Sequence, residues 1–271
     1  MTIGVIISTY NNPQWLEKTL WGYISQDRQA DEIIVADDGS EEDTRMLLER
    51  YSDMLPIKHV WHEDRGFRKT KILNEALKIA TADYLVFTDQ DCVPRKDFLY
   101  THERLAKKGY MLSGGYFKLP MSISVALKRE DISSGNAFRL GWLRELGLEW
   151  SFKCTKLFSS RLFACLMNTI TPARATWNGM NSSAWRKDII EVNGFDERMM
   201  YGGEDREMGE RLFNKGIKAR QIRYSAIVIH LDHRRPYVNK EAWDRNNAIR
   251  KETRKKRVVR TSYGIYSEKK S

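Results

Sequence analysis

Tyr84-Leu85-Val86-Phe87-Thr88-Asp89-Gln90-Asp91 is an apolar run that stops abruptly in two acidic residues. A short continuous apolar stretch of this kind reads as a strand buried on both faces, which belongs to a parallel sheet covered by helices. The segment before it fits: Phe67 to Ala80 places Ile72, Leu73, Ala76, Leu77 and Ala80 on one helical face. Further back, Ile57 to Trp61 reads as a strand, Glu41 to Tyr51 as a helix and Glu32 to Ala36 as a strand. Gln14 to Gln26 reads as a helix begun after Asn11-Asn12-Pro13, and Ile3 to Ser8 as the first strand. Strands alternating with helical patterns predict an α/β fold with a mostly parallel, Rossmann-like sheet.

In open parallel sheets the binding crevice lies beyond the carboxyl ends of the strands. Three polar clusters fall there: Ser8 to Asn11, Asp37-Asp38-Gly39-Ser40, and Asp89 to Asp91. Asp89-Gln90-Asp91 has the spacing for two carboxylates to share a hard divalent ion beside phosphate or ribose oxygens. Asp38 offers acceptors for a nucleobase imino group or a ribose hydroxyl, although the same four residues also make an ordinary turn. Arg68 and Lys71 share a helical face and could offset diphosphate charge, or serve surface solubility alone.

Beyond Gly114 the pattern changes. Arg139 to Phe163 interleaves Trp142, Trp150, Phe152, Phe158 and Phe163 with Arg139, Arg144, Lys153, Lys156 and Arg161. Such a segment suits either a membrane-facing excursion or an amphipathic helical hairpin capping the core. A helix is predicted over Ala184 to Val192, a turn at Asn193-Gly194, and a last strand over Ala226 to His230. Between them, Tyr201-Gly202-Gly203-Glu204-Asp205 sets two adjacent carboxylates behind two glycines at the start of a helical pattern running from Arg206 to Lys215. Acids favour a helix N-terminus, so capping would account for them. Their mutual repulsion suggests a further use, such as taking a proton from a bound hydroxyl. His230, at a strand end, is either structural or a nitrogen ligand; carboxylate with imidazole favours manganese over calcium.

A chain of 271 residues without a long Pro/Ser/Gly linker predicts one catalytic unit. We expect a nucleotide-binding half over 1–113, an acceptor-binding and catalytic half with a helical insertion over 114–240, and a basic tail over 241–271. The first residues are too short and lack the basic flank for a signal peptide, and no apolar run reaches membrane-spanning length, so a cytoplasmic location is expected. Cys92, Cys154 and Cys165 are widely spaced and predict reduced thiols. The net charge of +10 gathers in the last stretch, from Arg245 to Arg260. That cluster seeks anions, and no nucleic-acid motif accompanies it. An anionic inner membrane face is the expected partner, reached through the tail and the aromatic insertion together, with a merely solvated face as the plain alternative.

Taken in order, Ser8-Thr9-Tyr10-Asn11, Asp37-Asp38-Gly39-Ser40, Gly66-Phe67-Arg68, Asn74, Asp89-Gln90-Asp91, Asn193-Gly194-Phe195-Asp196, Gly202-Gly203-Glu204-Asp205 and His230 resemble a family 2 glycosyltransferase of GT-A fold with a galactosyltransferase-type C-terminal half. The likeness extends to bacterial chondroitin polymerase domains and β-1,4-galactosyltransferases. It implies a UDP-sugar donor, a Mn2+ or Mg2+ cofactor, and a glycan acceptor, lipid-linked, in bacterial surface polysaccharide or lipopolysaccharide synthesis. It implies a nucleotide site drawn from Thr9, Tyr10, Asn11, Asp38, Asp64, Asp89 and Gln90, with Arg68 and Lys71 near the diphosphate. Asp91 and His230, with Asp89 beside them, would hold the metal, His233 being a rival. Asp205 would be the base with Glu204 next to it, and Trp177, Gly179, Asn181 and Gly203 would meet acceptor or donor sugar. Two departures stand out: Leu73 precedes Asn74 where many relatives carry Arg, and Met199-Met200-Tyr201 replaces a common tryptophan. A nonenzymatic nucleotide-sugar or polyanion-binding module is the alternative.

Overall fold

The computed structural model describes residues 1–158, 160–233 and 240–266. Its first half follows the predicted alternation: β1 (Ile3–Thr9), α1 (Pro13–Ile24), β2 (Glu32–Asp37), α2 (Glu42–Tyr51), β3 (Ile57–Trp61), α3 (Lys69–Ile79) and β4 (Tyr84–Asp89). Pro13 at the first turn of α1 sacrifices no hydrogen bond, and the Asn12 side chain caps the helix by accepting from Trp15 N at 3.3 Å. The four strands run parallel in the order β3-β2-β1-β4, so all of their carboxyl ends share one rim.

The chain continues through β5 (Cys92–Pro94), α4 (Phe98–Leu105), β6 (Tyr110–Ser113), β7 (Gly115–Lys118), α5 (Met121–Ala126), α6 (Arg129–Ser133), α7 (Leu140–Glu145) and α8 (Arg161–Ile170). It then forms β8 (Ser182–Trp185), α9 (Arg186–Glu191), α10 (Glu204–Asn214), β9 (Lys218–Gln221), β10 (Ile227–His230) and α11 (Lys240–Lys255). β8 pairs antiparallel with both β4 and β6, and β9 runs parallel to β6, completing a mixed seven-stranded sheet. A second sheet, β5-β10-β7, hangs from the end of β4 and brings His230 toward Asp91.

Three sequence expectations are corrected. The helix predicted from Ala184 begins only at Arg186, because Ser182–Trp185 is held between two strands, with Ser183 Oγ 2.8 Å from Tyr84 Oη. Arg139 to Phe163 is not a helical hairpin: Gly147 takes a left-handed φ of 90°, and the segment breaks into α7, a 3-10 turn over Phe152–Leu157 and the start of α8. Residues 240–266 are no free basic tail. α11 lies along α10, where Asn246 is buried and donates to Met200 O at 2.9 Å and Gly202 O at 3.0 Å. The strap after it ends with Ile265 in the core and Asn193 Nδ2 donating to Thr261 O and Tyr266 O. Residues 267–271 of the predicted tail lie outside the described residues.

Two apolar cores sandwich the large sheet. One packs Leu16, Leu20 and Tyr23 of α1 and Leu47 of α2 against Val5, Ile7 and Val35. The other packs Ile72, Ala76 and Leu77 of α3 and Met208 and Leu212 of α10 against Ile6, Ile34 and Phe87. Burial of this scale fixes both the rim and the start of α10, because each is attached to a core-anchored element.

Candidate active site

The ends of β1 and β4 form one wall of a cleft of about 660 Å³. Tyr10 N donates to Gln90 Oε1 and Gln90 Nε2 to Tyr10 O, both at 3.1 Å, while the Thr9 hydroxyl also reaches Gln90 Oε1. Asn11 N donates to Ser40 Oγ at 2.8 Å, and Tyr10 Oη donates to Asp64 Oδ2 at 2.9 Å. Asp38 is buried between His62 Nε2 at 2.7 Å and Arg68 N at 2.9 Å. Burial pushes the Asp38 carboxyl up, against the pull of these two partners. Gly39 is required here: its φ is 97°, and a Cβ would stand 2.6 Å from Asp64 Cα.

Across the end of β4, His233 Nε2 lies 2.9 Å and His230 Nε2 lies 3.7 Å from Asp91 Oδ2, and the two imidazoles are stacked. His230 Nδ1 is 2.8 Å from Leu231 O, which can only accept, so Nδ1 carries a hydrogen and Nε2 is the ring atom turned toward Asp91. A carboxylate oxygen with two imidazole nitrogens turned toward it fits a divalent cation with oxygen and nitrogen donors, which would take the place of the hydrogen bond that His233 Nε2 donates to Asp91 Oδ2. Both histidines therefore belong to the candidate metal set. Cys92 completes a triple with Asp91 and His230, but burial and then Asp91 push its thiol well up, and Sγ donates to Asp91 Oδ1 at 3.4 Å. Asp89 stands apart from this group: its Oδ1 accepts from Ser8 Oγ at 2.5 Å and from Lys69 Nζ at 2.6 Å.

The opposite wall is the glycine turn. Gly202 (φ 113°) and Gly203 (φ 87°) reverse the chain into α10, which puts Glu204 and Asp205 in its first turn, where exposed N–H groups favour negative charge. Asp205 Oδ2 accepts from Gly179 N at 2.8 Å and Oδ1 from Arg206 N at 2.7 Å, so the carboxylate is held facing the cleft. Glu204 is buried and Oε2 accepts from Gly202 N at 2.8 Å. Burial, then repulsion from Asp205, push its carboxyl up to about 7, with Lys69 pulling the other way. Lys69 resists its own desolvation because Asp89, Glu204 and Asp205 surround it, and its pKa is raised.

The cleft brings together Thr9, Tyr10, Asn11, Asp38, Asp89, Gln90, Asp91, Gly179, Gly203, Glu204, Asp205 and His230, all named from sequence. Asp64 joins through Tyr10. Four assignments are corrected. Trp177 is fully buried, packed on Phe87 with ring centroids 5.2 Å apart and on the bare Gly209, so its ring cannot meet a sugar. Asn181 is likewise buried: it donates to Gly115 O and Ala226 O, and accepts from a neutral His102 whose pKa burial lowers to about 4. It ties the two sheets together. Lys71 is exposed away from the cleft, and Arg68 contributes its backbone N–H to Asp38 while its side chain turns to Glu63 O.

Lys69 is the cation that sequence reasoning missed, because the first turn of α3 starts two residues later than predicted and its register turns Lys69 inward. Tyr201, Phe67 and Trp243 were missed as well. They form an edge-to-face series at 5.8 and 6.5 Å along one lip of the cleft. Tyr201 was signalled by its place before the glycines; Trp243 had no signal, since α11 was read as a tail.

A mostly parallel sheet whose rim ends in Asp-x-Asp, faced across a cleft by an acidic helix start, is the GT-A arrangement. The model of glycosyl transferase family 2 matches residues 4–124, and the model described as the N-terminal domain of galactosyltransferase matches residues 162–234. Among curated relatives it is 29% identical over 232 residues to validoxylamine A glucosyltransferase of Streptomyces hygroscopicus subsp. jinggangensis, covering 79% of this chain and 52% of that one. It is 26% identical over 242 residues to chondroitin synthase of Escherichia coli, covering 84% and 34%. The chain thus spans about half the length of the first of these relatives and a third of the second. Among solved structures, S. aureus TarS 1-349 in complex with UDP superposes with a TM-score of 0.63 at 16% identity, covering 92% of this chain and 64% of that one. A Pyrobaculum calidifontis mannosyltransferase in complex with GDP-Man and Mn2+ gives 0.57 at 22%, covering 87% and 58%.

Proposed function

We propose that the chain is an inverting, metal-dependent hexosyltransferase that moves a hexose or N-acetylhexosamine from a UDP-sugar to a glycan hydroxyl, in the synthesis of bacterial surface polysaccharide or lipopolysaccharide. One observation carries this reading. A carboxylate fixed by two backbone N–H groups, Asp205, faces an Asp-His-His cluster across a single cleft, with Lys69 spanning Asp89 and the acidic turn.

In this reading the wall of Thr9, Tyr10, Asp38 and Gln90 holds the nucleoside. Asp91, His230 and His233 would hold Mn2+ or Mg2+, which when bound supplies positive charge to the departing diphosphate. Lys69 adds a fixed cation beside Asp89 and orients the donor. Asp205 accepts the acceptor's hydroxyl proton as that oxygen attacks the anomeric carbon from the face opposite the diphosphate. Gly179 leaves open the space between Asp205 and Asp89, since a Cβ there would sit 3.7 and 3.9 Å from their carboxylates.

The same reading places the enzyme in the cytoplasm with a lipid-linked acceptor at the inner membrane face, and without a nucleic-acid partner. Among the described residues no helix is long and apolar enough to cross a membrane. The test is UDP release from a panel of UDP-hexoses and UDP-N-acetylhexosamines with Mn2+, with and without glycan acceptors. Release from at least one donor, stimulated by an acceptor, is expected. Binding of donors without any release would instead favour a nonenzymatic nucleotide-sugar module.

A further inference from the structure

α8 carries its apolar residues on the outside. Leu162, Leu166 and Ile170, at successive turns of one helical face, are 86%, 56% and 58% exposed. Its inward face contributes only Ala164 and Met167, which pack with Phe163 and Tyr224 in a small satellite core. The stripe continues into Phe158, half exposed and packed on Phe163 at 5.5 Å, and the exposed Trp150 and Phe152 lie on the approach to the helix. A contiguous exposed apolar surface of this kind marks an interaction site.

Charge identifies the partner. From Ser151 to Lys187 the chain contains no acidic residue, yet it has Lys153, Lys156, Arg161, Arg174, Arg186 and Lys187. Lys156 Nζ lies 5.3 Å from the Tyr116 ring centroid and donates to Tyr116 O at 3.1 Å. Its pKa is lowered by burial and then by the nearby charges of Arg223 and Lys153, so three cations neighbour one another on one shelf, and among the described residues no carboxylate forms an ion pair with Lys156. A symmetric pairing of two copies through this segment would set that shelf against itself. Leucine and aromatic side chains above a cation shelf match instead the boundary between acyl chains and anionic headgroups.

We propose that the outward face of α8, with Phe158, Arg161 at the start of the helix and the Lys153–Lys156–Arg223 shelf, docks the protein on an anionic lipid bilayer by inserting Leu162, Leu166 and Ile170 among the acyl chains. The sequence expectation joined the aromatic insertion Arg139 to Phe163 with the Arg245–Arg260 stretch; here the contact moves onto α8 and leaves that stretch out. There Arg250 and Arg254 pair with Glu210, Lys256 pairs with Glu252, and Val259 is the single large exposed apolar residue. The docking face also borders the cleft, because Tyr116, under Lys156, lies 5.8 Å from the His230 ring. The proposal rests on no step of the glycosyl transfer reaction.

Cys165 lies on the exposed side of α8, whereas Cys92 and Cys154 are buried, so the native chain can be labelled at one thiol with an environment-sensitive fluorophore. With phosphatidylcholine vesicles containing phosphatidylglycerol, the label should brighten and shift to the blue, be quenched by spin-labelled acyl chains, and lose both responses as salt rises. In sedimentation, Leu162→Gln with Leu166→Gln should lower vesicle partition about tenfold or more, and Lys153→Gln with Arg161→Gln should flatten its salt dependence. Arg254→Gln should leave it unchanged. A label indifferent to anionic vesicles, or equal partition to neutral ones, overturns the proposal. So does a folded Leu162/Leu166 variant that sediments like wild type, or one that loses a dimer in light scattering while the wild type ignores vesicles.

Discussion

Lys69 Nζ sits 2.6 Å from Asp89 Oδ1 and is flanked on its other side by Glu204 and Asp205, so one ammonium group links the rim of the parallel sheet to the acidic turn. Three carboxylates converging without it would repel one another, the more so because Glu204 is buried. Lys69→Met is predicted to weaken UDP-sugar binding by about tenfold or more. It should also move the alkaline-rising limb of the activity profile to higher pH, because Lys69 is what pulls the Glu204 pKa down. Lys69→Arg should restore part of both. Titration calorimetry with donor and a pH–rate series check this.

Glu204 makes stability depend on pH in a stated direction. Its carboxyl is raised to about 7, so the folded chain holds a proton that the unfolded chain releases near its ordinary value of 4.5. Stability is then lost as pH rises from about 4.5 to about 7 and stays lower above that. Glu204→Gln removes the ionisation and should stabilise the protein by up to about 3 kcal/mol at pH 8, with the difference gone below about pH 4.5. Denaturant melts at both ends of the range, without metal or donor, measure it. Equal stability of the two proteins at pH 8 would show that Glu204 bears no such cost.

The glycine at 202 is held by geometry. Its φ of 113° strains any side chain, and a Cβ would stand 2.6 Å from the Trp243 ring. Gly202→Ala is predicted to destabilise the fold by about 1–3 kcal/mol from the backbone alone, with more from the collision. Adding Trp243→Ala should return only the collision share, so the double mutant should be less destabilised than the two single effects summed. Thermal melts of the four proteins give the coupling.

Metal dependence is expected to follow the Asp91 cluster. Excess chelator should abolish transfer and Mn2+ or Mg2+ should restore it. Asp91→Asn and His233→Ala should each raise the metal concentration needed for half activity by about tenfold or more. Elemental analysis beside the assay decides the case: full activity in a chelated, metal-free sample would remove the metal from the account.

Much of this site was legible in the sequence because its parts sit where the chain changes character. Asp89 and Asp91 end an apolar strand, Asp38 and Gly39 end another, and Glu204 and Asp205 follow two glycines into a helix. Periodicity located those transitions to within a residue or two. It failed where tertiary pairing outweighed local preference. Ser182–Trp185 became a strand because two neighbours lacked a partner, and α11 left the solvent because Asn246 and Thr253 satisfy carbonyl and carboxylate groups around α10. Trp177 and Asn181 lie beside the site in sequence and beneath it in space. Whether a side chain points into a cleft or under it depends on contacts from residues far away in the chain, such as Gly209 and Ala226.

The central claim is that Asp205 takes the proton of the attacking hydroxyl. Asp205→Asn keeps the size of the side chain and an oxygen to accept from Gly179 N, so donor binding should change little. The amide cannot serve as the base, and transfer should fall by about two to four powers of ten. The deciding measurement is single-turnover transfer from a UDP-sugar alongside its dissociation constant, for wild type and Asp205→Asn at neutral pH. The account predicts matched affinities and a collapsed transfer rate. A variant that transfers at the wild-type rate would contradict it.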